Sequence, residues 1–561
     1  MGEPAVQDVP AFDELRRQWS AVWGSTGRYV DVQFARFVDP FIPAWQTWTG
    51  DSVIAKTLRR WLPLCAVIVL CSWYFAEFGW LSWQRHELFG SFDYDLGMYD
   101  QGIWRLSHGA GFMTVRGMHV FGHHANIGYL LFVPFYWIGI GGPHFLNIMN
   151  TLGVVAVSWP LYLLGRRHLN SGWAGLFLVV AYLFHFSPQW KINETFHAES
   201  MAAPALMAAF YFLTTKQWRW YWLSLFGAII WKEDVAIFIA AMSLSVLVIS
   251  KNWRQALKTL AFGAAWFVVA TMVFMPAFRD SGAVYDNLFG TLGDSATEVL
   301  TNSLKDPDPL RQALDEHRAT EGAEALAAPY SYLGVLAPDV MLAGAPQHVI
   351  SYATAQSFTW DLRWHYLYFP FLSVLMATAW AIVRIKRAWI AWPLLVIMVL
   401  GVYSTFETFD TSVIADEQLQ AGIGPWTTAS NVGYWPLYAP PDDEALKAAL
   451  KLIPDDAVVT APYFLVPHLS HRDYIYTFPN PWRGQNYTLA PGQSLPDQNT
   501  VEYVVLRTTG LNDPDRLLYQ AVANSGQFSE IFRQDGVVVL HRERSGPPVA
   551  QPLVAPDGQS G

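Results

Sequence analysis

Five stretches of this chain place ionisable residues inside otherwise apolar sequence, and they hold the residue types that acid–base, metal and phosphate chemistry require. FDYDLGMYDQGIWRLSHG carries Asp93, Asp95, Asp100 and Gln101. RGMHVFGHHANIG carries His119, His123 and His124. KINETFHAES carries Lys191, Glu194, His197 and Glu199, and WKEDVAIF carries Lys232, Glu233 and Asp234. WDLRWHYLYFP adds Arg363 and His365. Charges beside a bilayer are costly and tend to mark sites.

Each stretch admits a chemical role and a plain structural one. Asp95 falls near the start of a short interfacial helix, where a carboxylate serves as general base or metal ligand, or simply caps the helix. Histidines near neutral pH act as metal ligands or phosphate partners, or as ordinary interface residues. Glu194 and His197 stand at i, i+3 and share a face if the segment is helical, which suits a metal, although a solvated turn has the same spacing. Three successive charges at 232–234 interrupt an apolar run with no Gly or Pro to mark a loop, and Lys232 is suited to gripping a phosphate. Arg363 and His365 open a helix on the same side, where a cation suits an anionic lipid headgroup. Together these clusters predict one polar cavity lined by acids and bases.

The elements that must carry them are membrane helices. Of 561 residues, 52% are hydrophobic and only 15% are charged, against about 25% charged in soluble proteins. The 27 Trp, 35 Phe and 25 Tyr suit aromatic belts at two lipid–water interfaces. A net charge of −10 excludes nucleic acid as a partner, because phosphate backbones need a Lys/Arg surplus. A spanning helix needs ~20 apolar residues. Strong candidates are 61–80, 145–164, 172–188, 200–214, 219–231, 234–250, 257–278, 366–384 and 389–405. The stretches 126–141 and 332–350 are weaker and read as re-entrant or interfacial. The expected architecture is a mainly α, polytopic bundle of about 9–11 spans. Cys65 and Cys71 in the first apolar run read as small apolar residues rather than a disulfide or metal pair.

Orientation follows the basic clusters Lys56–Arg59–Arg60, Arg166–Arg167, Lys216–Arg219, Lys251–Arg254–Lys258 and Arg384–Lys386–Arg387, which the positive-inside rule places in the cytoplasm. The loops 81–125 and 279–331, and the chain beyond the last span, then face outward. Residues 1–57 are polar, lack a secretory h-region, and include an amphipathic surface segment, FARFVDPFIPAWQTW. They read as a cytoplasmic N-terminal segment ahead of a transmembrane domain at 58–408. Residues 409–545 read as a small extracytoplasmic α/β domain. There, PDDEALKAALKLIP predicts a helix, AVVTAPYFLVPHLSHRDYIYTF a strand, short helix and strand, and VEYVVLR a buried strand. DPDRLLYQAVANSG predicts a helix and FSEIFRQDGVVVLHR a hairpin turning at Asp535–Gly536. Residues 546–561 read as a disordered tail.

The run DLGMYDQGIWRLSHG, then GHHANIGYLLFVPFYWIG, ETFHAES and WKEDVAIF, resembles a bacterial family of polytopic membrane proteins grouped with the GT-C superfamily of integral-membrane glycosyltransferases. APYFLVPHLSHRDYIYTFP is similar to that family's outward domain, and the resemblance covers about residues 85–545. It implies residence in the bacterial plasma (inner) membrane and a polyprenyl-phosphate-linked sugar donor, with inversion at the anomeric carbon. Asp95 matches the GT-C acidic residue of the first outer loop, a general base or metal ligand. Asp93 or Asp100 is the partner carboxylate; Tyr94 separates the first two aspartates, which adjoin directly in many GT-C enzymes. Lys232, Gln101, Arg363, His365, Glu233 and Asp234 are the expected substrate-binding residues. His123, His124, Glu194, His197 and Glu199 are the expected ligands of a divalent metal, Mg²⁺ or Mn²⁺. Two other readings stay open: a transporter or flippase for a lipid-linked or anionic substrate, and a non-catalytic membrane scaffold.

Overall fold

The computed structural model describes residues 53–91, 95–279, 288–293, 296–385, 387–408, 439–489 and 492–549. The N-terminal surface segment within 1–52, Asp93 and most of the expected tail lie outside these residues, as does 409–438. We number the principal helices α1 (Val53–Glu87), α2 (Asp95–Ser107), α3 (Pro143–Ala156), α4 (Ser158–His168), α5 (Gly172–Leu183), α6 (Phe186–Asn193), α7 (Glu199–Thr214), α8 (Trp218–Ile229), α9 (Val235–Ser250), α10 (Trp253–Val269), α11 (Tyr368–Val383) and α12 (Ala388–Thr408).

A helix stands in each of the nine stronger apolar stretches. Among the described residues, four are long and apolar enough to cross a membrane: Trp61–Glu87, Pro143–His168, Trp253–Phe278 and His365–Val383. Shorter apolar helices occupy Ile127–Trp137, Gly172–Leu183, Val235–Ser250 and Ala388–Ser404. The two weaker stretches are broken. The first is a 3₁₀ turn, Ile127–Leu131, followed by the short helix Val133–Trp137. In the second, Pro338 and Pro346 each open a new short helix, Pro338–Met341 and Ala345–Ala353. A proline there lacks the N–H that would continue the preceding helix.

Burial sorts the bundle into layers. α1 exposes Trp61, Ile68, Val69 and Trp80, and α10 exposes Trp253, Leu257, Leu260 and Val269. Such apolar faces belong against lipid. In α11 every residue except Trp380 is buried, so this helix is enclosed by protein on all sides, as a helix apolar all round must be. The cysteines are unbridged, Cys65 exposed and Cys71 half-buried.

The C-terminal unit is α/β. After a two-stranded hairpin near α2 (β1, Phe112–Met113; β2, Met118–His119), the strands are β3 (Val459–Ala461), β4 (Ile475–Thr477), β5 (Tyr503–Arg507), β6 (Phe528–Gln534) and β7 (Val537–Arg542). β3–β7 form one sheet in the order β4-β3-β5-β7-β6. β3 runs parallel to both β4 and β5, while β7 runs antiparallel to β5 and β6. Two helices cover it, α13 (Asp443–Leu450) and α14 (Asp513–Ala523). Alternation in β5 sends Val504 and Leu506 to the cluster with Leu518 and Val522 of α14. Val505 points the other way, into the main core that also holds Leu446 and Ala449 of α13. The hairpin turn is at Asp535–Gly536, both with positive φ (49° and 81°), the pattern of a type I′ turn.

The sheet domain is fastened to α2. Asp100 is fully buried and accepts from Tyr136 Oη at 2.6 Å and Ser470 Oγ at 2.5 Å, with His471 Nε2 at 3.0 Å. Gln101 Nε2 donates to Thr114 Oγ1 at 2.8 Å and to the Arg472 carbonyl at 3.2 Å. Arg105 pairs with Asp473 at 2.6 Å. Gly97, in the interior of α2, touches the 3₁₀ turn Val466–Leu469: a Cβ there would lie 2.7 Å from Val466 Cγ1 and 2.9 Å from the Pro467 nitrogen. The backbone nitrogen cannot yield as a flexible side chain could. Gly97→Leu is therefore expected to loosen the joint by about 1–3 kcal/mol. Limited proteolysis should release the C-terminal domain faster than in the wild type; equal release rates would show that the contact does not hold the domain.

Candidate functional site

The residues that converge come from the ends of five elements. Glu194 caps the C-terminus of α6, and Thr195 takes a positive φ of 92°, a conformation that a β-branched residue adopts only when its surroundings enforce it. This turn brings His197 round to Glu194 before α7 begins at Glu199. Glu199 lies in the first turn of α7, where the helix dipole favours a carboxylate. Lys232 and Glu233 link α8 to α9, and Asp234 is the N-cap position of α9. His365 leads into α11, and Asp95 opens α2.

Their geometry is compact. His197 Nε2 is 3.7 Å from Asp95 Oδ2 and 3.8 Å from Glu194 Oε1. His365 Nδ1 bonds to Glu194 Oε1, and its Nε2 lies 3.8 Å from Glu199 Oε1. The His197 and His365 rings stack at 4.0 Å. Lys191 Nζ reaches Glu194 Oε2 at 3.4 Å. Lys232 Nζ lies 2.5 Å from Glu199 Oε1 and 3.5 Å from Asp234 Oδ2, and 5.8 Å from the Tyr366 ring centre. His124 Nδ1 meets Glu233 Oε1 at 2.6 Å, and the Ala125 amide donates to the other Glu233 oxygen at 3.0 Å.

Among the described residues, one set could hold a metal ion. Ligand atoms of Glu194, His197 and His365 all lie within 4.8 Å of one another, and all three residues are buried. Neither ring nitrogen of His197 has a hydrogen-bond partner among the described residues. Burial holds the His197 ring down at about 3, so it stays neutral and keeps a lone pair for a cation. Burial opposes the Glu233 charge, yet His124 and Lys232 outweigh it and hold that carboxyl at about 2.

Not every residue singled out in the sequence joins this group. Asp95, Glu194, His197, Glu199, Lys232, Asp234 and His365 do, with Glu233 and His124 paired beside them. His123 lies against His124, ring centres 4.2 Å apart, and 6.2 Å from the Tyr99 ring. Asp100 and Gln101 engage the C-terminal domain instead, because five residues of α-helix turn Asp100 by about 140° from Asp95 and six turn Gln101 by about 120° in the other sense. Arg363 forks onto Asp361, Nε to Oδ1 at 3.0 Å and Nη2 to Oδ2 at 2.6 Å, and both are largely buried. Arg85 belongs to none of the five charged stretches. It donates to the carbonyls of Gly90 and of Asn193, the residue before Glu194, and its only signal was a charge at the end of an apolar helix.

No curated protein matches the chain by sequence. Among solved structures it is similar to ArnT from Cupriavidus metallidurans in the apo state, at 12% identity over 85% of this chain and 98% of that one, with a TM-score of 0.41. The same protein bound to undecaprenyl phosphate is similar at 11% identity over 86% and 99% of the two chains, with a TM-score of 0.38. The family model described as predicted membrane protein, DUF2079, matches residues 85–539, from the end of α1 to within β7. The chain belongs to that family of membrane proteins.

Proposed function

We propose that this protein is an integral-membrane glycosyltransferase of the GT-C type that takes its sugar from a polyprenyl phosphate. The observation that carries the reading is the position of Asp95. It stands at the head of the helix that follows α1, 3.7 Å from His197, in a group that also offers a cation, Lys232, and a three-residue metal set. Donor activation and acceptor deprotonation need those groups side by side.

In this mechanism the Asp95 carboxylate accepts the proton of an acceptor hydroxyl. The hydroxyl oxygen bonds to the anomeric carbon, and the bond from that carbon to the phosphate oxygen breaks. The electron pair leaves with polyprenyl phosphate, and the anomeric configuration inverts. Lys232, held between Glu199 and Asp234, is placed to donate to the departing phosphate. Glu194, His197 and His365 are the residues that would hold a divalent ion. Two imidazoles and one carboxylate suit Mn²⁺ better than Mg²⁺, which prefers oxygen ligands. Such an ion supplies positive charge for the leaving phosphate. The prenyl chain would lie in the bilayer, beside the apolar faces of the outer helices. With the basic clusters cytoplasmic, the site and the C-terminal domain open outward from the bacterial plasma membrane.

The test is release of polyprenyl phosphate by the full chain in lipid nanodiscs, supplied with polyprenyl-phosphate pentoses and hexoses. Release is expected with at least one donor, to stop with EDTA, and to return with Mn²⁺. No release from any donor overturns the reading, and EDTA-insensitive release removes the metal from it.

A further inference from the structure

A cavity lies in the joint between the C-terminal sheet and the membrane domain. Its volume is about 850 Å³, within the ~300–1,000 Å³ of ligand clefts. Its position follows from topology. β4 and β5 flank β3 on opposite sides and run parallel to it, so the connections leaving β3 and β4 part and open a crevice at the carboxyl ends of the strands. Open α/β sheets bind ligands at such a switch point. Pro462–Phe464 after β3, Thr477 and Phe478 at the end of β4, Arg507 at the end of β5 and residues 509–512 after it form its floor.

The chemistry of the walls selects the ligand class. Tyr463, Phe464 and Phe478 supply aromatic surface, and Tyr463 is 52% exposed. Thr477, Gln485 and Thr509 supply neutral polar groups, and the Thr477 hydroxyl has no hydrogen-bond partner among the described residues. The charged members are already matched. Arg507 Nε lies 2.5 Å from Asp442 Oδ2, with its guanidinium 4.5 Å from the Phe464 ring centre, and Asp515 pairs with Arg483. An ionic ligand therefore gains little here. A ring that is apolar on its C–H faces and hydroxylated at its edges is complementary to aromatic side chains with neutral amides and hydroxyls between them.

Phe89–Ser91, just past the end of α1, form a further wall, and Asp95 follows four positions after Ser91. Arg85 ties this wall to the other site by donating to the carbonyls of both Gly90 and Asn193. We infer that this cavity binds a neutral saccharide, with Tyr463 stacking on a sugar ring and Thr477 bonding a hydroxyl. Naming that saccharide as the acceptor rests on the transferase reading; its binding does not.

The test is saturation-transfer NMR on the full chain in nanodiscs, with maltotetraose, mannotetraose, galactotetraose and arabinotetraose as probes and inorganic phosphate as the anionic control. At least one tetrasaccharide is expected to bind and phosphate is not. Tyr463→Ala, at an exposed position, is expected to weaken binding at least about tenfold with an unchanged melting temperature, and Thr477→Val to weaken it several-fold. No binding of any tetrasaccharide at millimolar concentration overturns the assignment, as does equal binding by Tyr463→Ala. Saccharide binding without transfer from any lipid-linked donor would sink the transferase reading and leave this cavity assigned. Transfer that continues while no tetrasaccharide binds would sink the cavity assignment alone.

Discussion

Asp95→Asn is expected to slow sugar transfer by roughly 10²–10⁴-fold, the range that a positioned general base contributes. The amide cannot take the proton of an acceptor hydroxyl, yet it keeps the size and shape of the carboxylate. Asn also serves as well as Asp at a helix start, so α2 and its contacts to the C-terminal domain should persist. The rate of polyprenyl phosphate release, measured beside the melting temperature in nanodiscs, separates lost chemistry from lost fold. A variant as fast as the wild type would remove Asp95 from the reaction.

Lys232→Met should be the most destabilising single change in the site. Glu199 is 2% exposed at its side chain and lies 2.5 Å from Lys232 Nζ, and Asp234 lies 3.5 Å away. Removing the ammonium leaves the buried Glu199 carboxylate without its main counter-charge, beside the half-buried Asp234. Breaking a buried ion pair from one side costs about 3–5 kcal/mol. Thermal unfolding in nanodiscs should show this as a large fall in melting temperature. Adding Glu199→Gln should return most of the stability, because the orphaned charge is then gone, while transfer stays low for want of the cation. A single variant as stable as the wild type would mean that the pair carries no structural weight.

Much of this arrangement was legible in the chain, and the failures have physical causes. Apolar length alone placed the helices, and the Asp-Gly dipeptide between alternating apolar strands placed the final hairpin. The i, i+3 spacing of Glu194 and His197 and the interruption at 232–234 pointed to the cluster. His365 was legible as a charge at a helix head, but its role as a partner of Glu194 was not, since 171 residues separate them. Asp100 misled for a different reason. A helix with carboxylates at 95 and 100 must send them to different faces, and which face meets the cluster depends on what packs against the other. Arg363 suits a lipid headgroup by type and position, yet Asp361, two residues away, is within reach of a fork and takes it. Spans such as α5 are shorter than the bilayer rule expects, because helices that pack against protein need not match lipid thickness over their own length.

The enclosure of α11 has a bearing on how the site meets its membrane. His365 sits at the head of a helix whose residues, except Trp380, are buried, while α1 and α10 turn tryptophans and aliphatic side chains outward. The bilayer is thus the solvent of the outer helices only. For α11 the solvent is the rest of the protein, with a fixed dielectric and fixed dipoles. Changes of acyl chain, headgroup or leaflet composition act on α1 and α10 first, and the imidazole at the head of α11 is insulated from them by a full layer of helix.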